Sequence, residues 1–322
     1  MASYPGISSQ AFKHPLDQQA ELALRSVPGF DLLASRFSEY IYERPQQIYL
    51  MGNNLKVNPR QYSTLYGIYR DCIQDLDIYP EPSLYVSQNP LVNSYSLGRE
   101  HPYIVVNTGL LDLLNEDEIR TVMAHELGHI KCDHSILIQM FLWVRNTASF
   151  IGDITLGIGK IMTTGLIYAF YEWRRKAELS ADRASMLVID DVNLIFKTMM
   201  KLAGGSQKYA HECSLQEFIK QSDDYHRMDE DSLNQFYKIM IYNGANDTFL
   251  THPFTVERVR YLQEWSNSAQ YRQIKQGNYP KAGKEGSINV DATPKNQESE
   301  DLKQKIADLQ AEIERIRNAK NS

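Results

Sequence analysis

His125-Glu126-Leu127-Gly128-His129 is the stretch on which the fold and the chemistry of this chain turn. Histidines four apart project from one face of an α-helix, so both imidazoles can reach a single metal ion. Glu126, directly after the first histidine, lies close enough to act on water held at that ion without ligating it. The flanking residues predict the helix. Asn115 is a suitable N-cap, Glu116, Asp117 and Glu118 put negative charge in the first turn, and Ile119, Val122 and Met123 supply an apolar stripe. Two surface histidines would fit so short a pattern by chance, so residues further along have to decide.

A hydrolytic zinc site needs a third protein ligand and an open fourth position. Glu178-Leu179-Ser180-Ala181-Asp182 offers one. Glu178 and Asp182 are one helical turn apart, so Glu178 can ligate while Asp182 accepts a hydrogen bond from the far nitrogen of a ligating histidine and fixes its tautomer. The plainer reading pairs Glu178 with Arg174 across one turn of an exposed helix. Two histidines and a glutamate are a known ligand set of hydrolytic zinc sites, with one ion per chain.

The segment from Val92 to His134, VNSYSLGREHPYIVVNTGLLDLLNEDEIRTVMAHELGHIKCDH, resembles the core of the M48 metallopeptidases, the gluzincin family of HtpX and the CAAX proteases. The matching pieces come in order. They are Asn93-Ser94-Tyr95, an apolar strand entering a Thr-Gly-Leu-Leu turn (Ile104 to Leu111), the HELGH helix, and Glu178-x-x-x-Asp182. His252-Pro253 with Glu257-Arg258-Val259 then resembles the family's His-Pro element and its following arginine.

The resemblance covers roughly residues 60 to 265 and is far more specific than any single motif. It implies zinc bound by His125, His129 and Glu178, and Glu126 as general base. It also implies His252 as a donor to the developing oxyanion and Asn93 as a partner of the substrate backbone. Read alone, His252 is a turn histidine before Pro253, and Asn93 a turn asparagine after Pro90. The apolar run Tyr103-Ile104-Val105-Val106 reads as an edge strand against which an extended peptide could pair.

Composition agrees with a globular enzyme. A chain of 322 residues, 43% hydrophobic, can bury a sizeable core. A net charge of −6 gives no basic footprint for nucleic acid, so the expected partners are proteins or peptides. Three scattered cysteines with no CxxC pair point to free thiols in a reduced compartment, with Cys132 assigned to packing. The first residues lack a basic region followed by an apolar one, so no signal peptide is expected. The expected location is cytoplasmic, with membrane-surface association through 135–173 as the alternative.

The expected class is α+β, mostly helical: a zincin-like domain with a small sheet beside the active-site helix. Residues 1–56 form an N-terminal helical region, with helices broken at Pro28-Gly29 and a short strand at Ile48-Tyr49-Leu50. The peptidase domain spans 57–270. Within it a helix starts at Asn58-Pro59, strands occupy 83–107 with breaks at Asn89-Pro90 and Gly98, and helices follow the HELGH helix. A polar linker covers 271–299, its character changing at Gly277, and a heptad helix covers 300–320. In that helix Leu302, Ile306, Leu309, Ile313 and Ile316 suit weak self-association.

The apolar stretch 135–173 is interrupted by Arg145, Asp153 and Lys160, and no charge-free run approaches the roughly 18 to 20 residues needed to span a bilayer. Buried or membrane-surface helices are expected there. Two functions fit the sequence: a zinc endopeptidase for protein quality control or processing, and a non-proteolytic, chaperone-like adaptor on the same fold. The intact Glu126 favours the first.

Overall fold

The computed structural model describes residues 3–27, 29–31, 34, 37, 43–98, 100–142, 158–228, 252 and 255–282. The chain divides into two compact units. One comprises Met1–His14, Tyr42–Ile136 and Ala177–Gly286, and the other comprises Pro15–Ile41, Leu137–Lys176 and Ser287–Ser322. The class is α+β and mostly helical, as the sequence predicts.

In the first unit, helix α2 (Glu43–Asn53) leads into a two-residue strand β1 (Leu55–Lys56), and helix α3 (Ser63–Leu76) precedes β2 (Ser83–Ser87), β3 (Ser94–Leu97) and β4 (Tyr103–Asn107). Sheet order is β1-β2-β4-β3. The β2–β4 pair is parallel and the other two are antiparallel. Ser83 pairs with Tyr103 and Ser87 with Asn107, which sets the register of the central pair. Leu84, Val86, Ile104 and Val106 share one face because strand side chains alternate, and they join the main core. Leu50 of α2 lines a cleft with Tyr85 and Tyr103, which alternate to the other face.

Three sequence expectations change here. The run Tyr103–Val106 is central, hydrogen-bonded on both sides, and β1 and β3 are the edges among the described residues. Four consecutive apolar residues fit a strand buried on both faces better than an edge. Ile48-Tyr49-Leu50 is helical: only Leu50 is buried, while Ile48 and Tyr49 lie outward on α2. The helix expected from Asn58-Pro59 starts at Ser63, because Asn58 closes its own turn. Its Oδ1 accepts from Arg60 N–H at 2.9 Å, and its backbone exchanges two 3.0 Å bonds with Gln61.

Helix α4 (Thr108–Leu113) follows β4 directly and ends before α5 (Glu116–Lys131), which carries HELGH. Gly109 makes the tight junction possible, since a Cβ there would sit 2.1 Å from the Pro90 carbonyl oxygen. Helix α6 (Ile158–Ile189), α7 (Val192–Gly204), α8 (Leu215–Met228), α9 (Thr255–Ser266) and α10 (Ala269–Lys275) follow. The N-terminal segment belongs to this core. Ile7 and Phe12 are buried in it, and Tyr4 donates its hydroxyl to the Leu187 carbonyl at 3.1 Å. The polar stretch beginning at Gly277 opens on ordered pairing: Ser8 N–H bonds Pro280 O at 2.9 Å and Ala282 N–H bonds Gly6 O at 2.8 Å.

In the second unit, helix α1 covers Pro15–Ser26. Phe141 stacks on Phe170 and Tyr171 at 5.9 and 4.8 Å, and Phe170 meets Phe30 at 6.3 Å. Within the described part of 135–173, the side chains of Leu137, Met140, Phe141, Phe170 and Trp173 are buried. Among the described residues no helix is long and apolar enough to cross a membrane. The heptad helix at 300–320 lies outside the described residues.

Candidate active site

Helix α5 is fixed at its start by a capping box. Asn115 Oδ1 accepts from Glu118 N–H, and the Glu118 carboxylate accepts from Asn115 N–H, both at 2.9 Å. Lys201 then pairs with Glu118 at 2.7 Å and ties α7 to this end. Further along, Gly128 removes the side chain that would keep α6 away. A Cβ on it would meet Ala184 Cβ at 2.6 Å and Ala181 Cα at 3.0 Å. Small residues on both helices thus let α6 approach closely enough for Glu178 and Asp182 to face the histidines of α5.

The result is a buried cluster. His125, His129, Glu178 and His252 each present a ligand atom, and these atoms lie within 4.8 Å of one another. His125 Nε2 stands 3.2 Å from His129 Nε2 and 3.2 Å from a Glu178 oxygen, and His129 Nε2 stands 3.4 Å from the other. Glu178 is 1% exposed, so it pairs with no surface cation, and the Arg174 guanidinium lies instead over the Phe141 ring. Behind the cluster, His125 Nδ1 donates to Asp182 Oδ1 at 3.0 Å. Arg258 donates to both carboxylates, to Glu178 at 2.9 Å and to Asp182 Oδ2 at 2.7 Å.

Glu126 is 1% exposed. One of its oxygens accepts from Ser94 Oγ at 2.6 Å and lies 3.2 Å from His252 Nε2, while Oε2 has no hydrogen-bond partner among the described residues. His252 Nε2 donates to the Ser94 carbonyl at 2.9 Å, and its Nδ1 faces Glu178 at 3.0 Å.

Charge follows this geometry. Burial alone would raise Glu126, but His252, with help from His125 and His129, holds it down at about 2. Burial lowers His129 to about 4, leaving a neutral imidazole with a lone pair. His252, opposed by burial, is lifted to about 10 by Glu178 and Glu126. His125 is raised against burial by hydrogen bonds to Asp182 and Glu178.

A cavity of about 110 Å³ adjoins the cluster, lined by Asn93, Glu126 and His252 together with the apolar side chains of Val122, Ile195 and Met199. Asn93 is therefore near the site, its carbonyl accepting from Asn107 N–H at 3.0 Å. The structure brings all seven residues singled out from sequence into one neighbourhood. It adds Ser94, Arg258 and His134, to which sequence reading gave no role. Arg258 had a signal in its place after His-Pro, whereas Ser94 and His134 are joined to the site only by folding. Cys132 is buried at the end of α5 and outside the cluster.

The sequence profile of peptidase family M48 matches residues 59–266. The chain belongs to that family. It is 32% identical over 279 residues to the plastoglobule-localized metallopeptidase 48 of Arabidopsis thaliana chloroplasts, covering 84% of this chain and 76% of that protein. It is 27% identical over 235 residues to a protease HtpX homolog of Campylobacter curvus, covering 66% of this chain and 78% of that protein. A protease HtpX homolog of Dictyoglomus turgidum is 24% identical over 247 residues, with coverage of 70% and 77%. No solved structure matches. As an M48 member the chain is a metallopeptidase acting on protein or peptide substrates, and the cluster around HELGH is a place where its metal can bind.

Proposed function

We propose that this chain is a zinc endopeptidase that binds one ion through His125, His129 and Glu178 and uses Glu126 as general base. The observation that carries the reading is the convergence of two imidazole nitrogens and a carboxylate, all buried, beside a glutamate oxygen with no hydrogen-bond partner among the described residues. The donor set fits zinc, since a neutral His129 offers a lone pair and the carboxylates supply the negative charge. Bound zinc would polarise the scissile carbonyl and lower the pKa of a water molecule to about 7.

Glu126 Oε2 takes the proton from attacking water and passes it to the leaving amine, while Ser94 fixes the other oxygen. Glu126 stays ionised because of the cationic groups around it, so it is ready to accept. His252 is the donor to the oxyanion on this reading, its Nε2–H turning from the Ser94 carbonyl to the substrate oxygen. Asp182 and Arg258 hold His125 and Glu178 in place. An extended substrate adds to the sheet along β3, whose Ser94 lies against Glu126, with Asn93 at the cavity beside it. Backbone pairing of this kind suits unfolded or processed chains of loose side-chain preference. The plastoglobule in one relative's name supports work at a lipid surface.

A casein digest, with and without chelator, tests the reading against Glu126→Gln. Wild type should cleave, chelator should stop it, and the variant should keep its zinc while losing about 10²- to 10⁴-fold in rate. Cleavage unaffected by chelator, or a fully active variant, would sink the mechanism. Wild type that binds unfolded casein without cutting it would favour the adaptor reading.

A further inference from the structure

Helix α5 stops at Lys131, and the way it stops brings a fourth histidine back to the cluster. Cys132 N–H bonds Gly128 O and Asp133 N–H bonds Ile130 O, both at 3.0 Å, and Asp133 then turns into the left-handed region at φ 58°. A helix continued past this point would carry residue 134 about 140° around the axis from residue 129. The turn places the two rings 5.1 Å apart instead, with His134 Nδ1 2.9 Å from His129 Nδ1. His134 is fully buried.

We propose that His134 is a positioning residue that fixes the tautomer of His129 and so strengthens metal binding. The proposal rests on reading His129 as a ligand. Only one hydrogen fits between the two Nδ1 atoms. If His129 is to ligate through Nε2, that hydrogen belongs to its Nδ1, and His134 must present a lone pair there and carry its own proton on Nε2. The two ligand histidines are thus held differently: His125 by the Asp182 carboxylate, His129 by a neutral imidazole.

The test is the zinc dissociation constant, read by competition with a chromophoric chelator, for wild type, His134→Ala, His134→Asn and His129→Ala. Unfolding temperatures in excess chelator are read alongside. His134→Ala should bind zinc about 10- to 100-fold more weakly. His134→Asn, whose amide oxygen can accept from His129, should recover most of the loss. Both should unfold near the wild-type temperature in chelator. Long-range ¹H–¹⁵N spectra of zinc-loaded wild type should show His134 protonated on Nε2 alone, a result that needs no variant to fold. Wild-type affinity in His134→Ala, equal losses in Ala and Asn, or a proton on His134 Nδ1 would overturn the proposal. Full zinc retention by His129→Ala would instead remove the ligand reading beneath it.

Discussion

Gly128 and Ala184 face each other so closely that a methyl group on Gly128 would lie 2.6 Å from the Ala184 Cβ. In an ordinary exposed helix, glycine to alanine is stabilising by about 1 kcal/mol. Here the sign should reverse. Gly128→Ala must push α5 and α6 apart, which costs about 1–3 kcal/mol in overpacking and moves Glu178 away from the histidines. Thermal unfolding and zinc stoichiometry, measured together, should both fall. A variant as stable and as metal-loaded as wild type would mean that the crossing has slack.

Arg258 is the buried cation that serves both Glu178 and Asp182. Replacing it with methionine leaves two buried carboxylates short of positive charge, and breaking such a pair costs about 3–5 kcal/mol. Lysine should recover only part of this, because one ammonium cannot reproduce the fork that reaches both carboxylates. Chemical unfolding in chelator of Arg258→Met, Arg258→Lys and wild type should rank them in that order, least stable first.

The same network sets an acid limit. Burial pushes Glu178 and Asp182 up, but His252 and Arg258 outweigh it at Glu178, and Arg258 and His125 at Asp182, so both titrate below their ordinary range. With folded-state values depressed, the unfolded chain takes up protons first. The stabilisation is complete above about pH 4 and is lost as pH falls further. Urea midpoints taken in chelator should therefore drop steeply below that pH in wild type and less in Asp182→Asn. A wild-type decline finished between pH 7 and 5 would point to histidines instead.

Asn115 caps the helix that carries the site. Asn115→Ala removes one of the two reciprocal bonds and should cost about 1 kcal/mol, whereas Asn115→Ser should cost only a few tenths. Denaturant unfolding distinguishes them. Equal stability of all three proteins would show that the Glu118–Lys201 pair alone holds this end.

What could be read from the sequence was what depends on short-range spacing. The HELGH helix, its cap and the Glu178–Asp182 turn follow from periodicity and side-chain chemistry, and breaks at Asn89-Pro90 and Gly98 mark the strands correctly. Misreadings arose where a local pattern fits two states. Ile48-Tyr49-Leu50 is too short to separate strand from helix, and Tyr103–Val106 shows its central position only once β2 and β3 have paired. Asn58 looked like a helix start and is a closed turn, since its side chain competes for the same backbone groups. Ser94 and His134 were invisible as site residues because their relation to Glu126 and His129 is a product of the edge strand and of the turn at Asp133.

The pairing of Gly6 and Ser8 with Pro280 and Ala282, and the late arrival of His252 and Arg258, carry a consequence for synthesis. A ribosome adds about 5–20 residues each second. The HELGH segment therefore leaves the exit tunnel several seconds before the residues that complete its surroundings, and the amino-terminal segment waits longer still for its partner. A growing chain holds two histidines and a base without Arg258 behind Glu178 and without His252 beside Glu126. On the mechanism proposed above, a chain that ended before His252 would lack the groups that back Glu178 and face Glu126, so hydrolysis would wait until the folded part has been made.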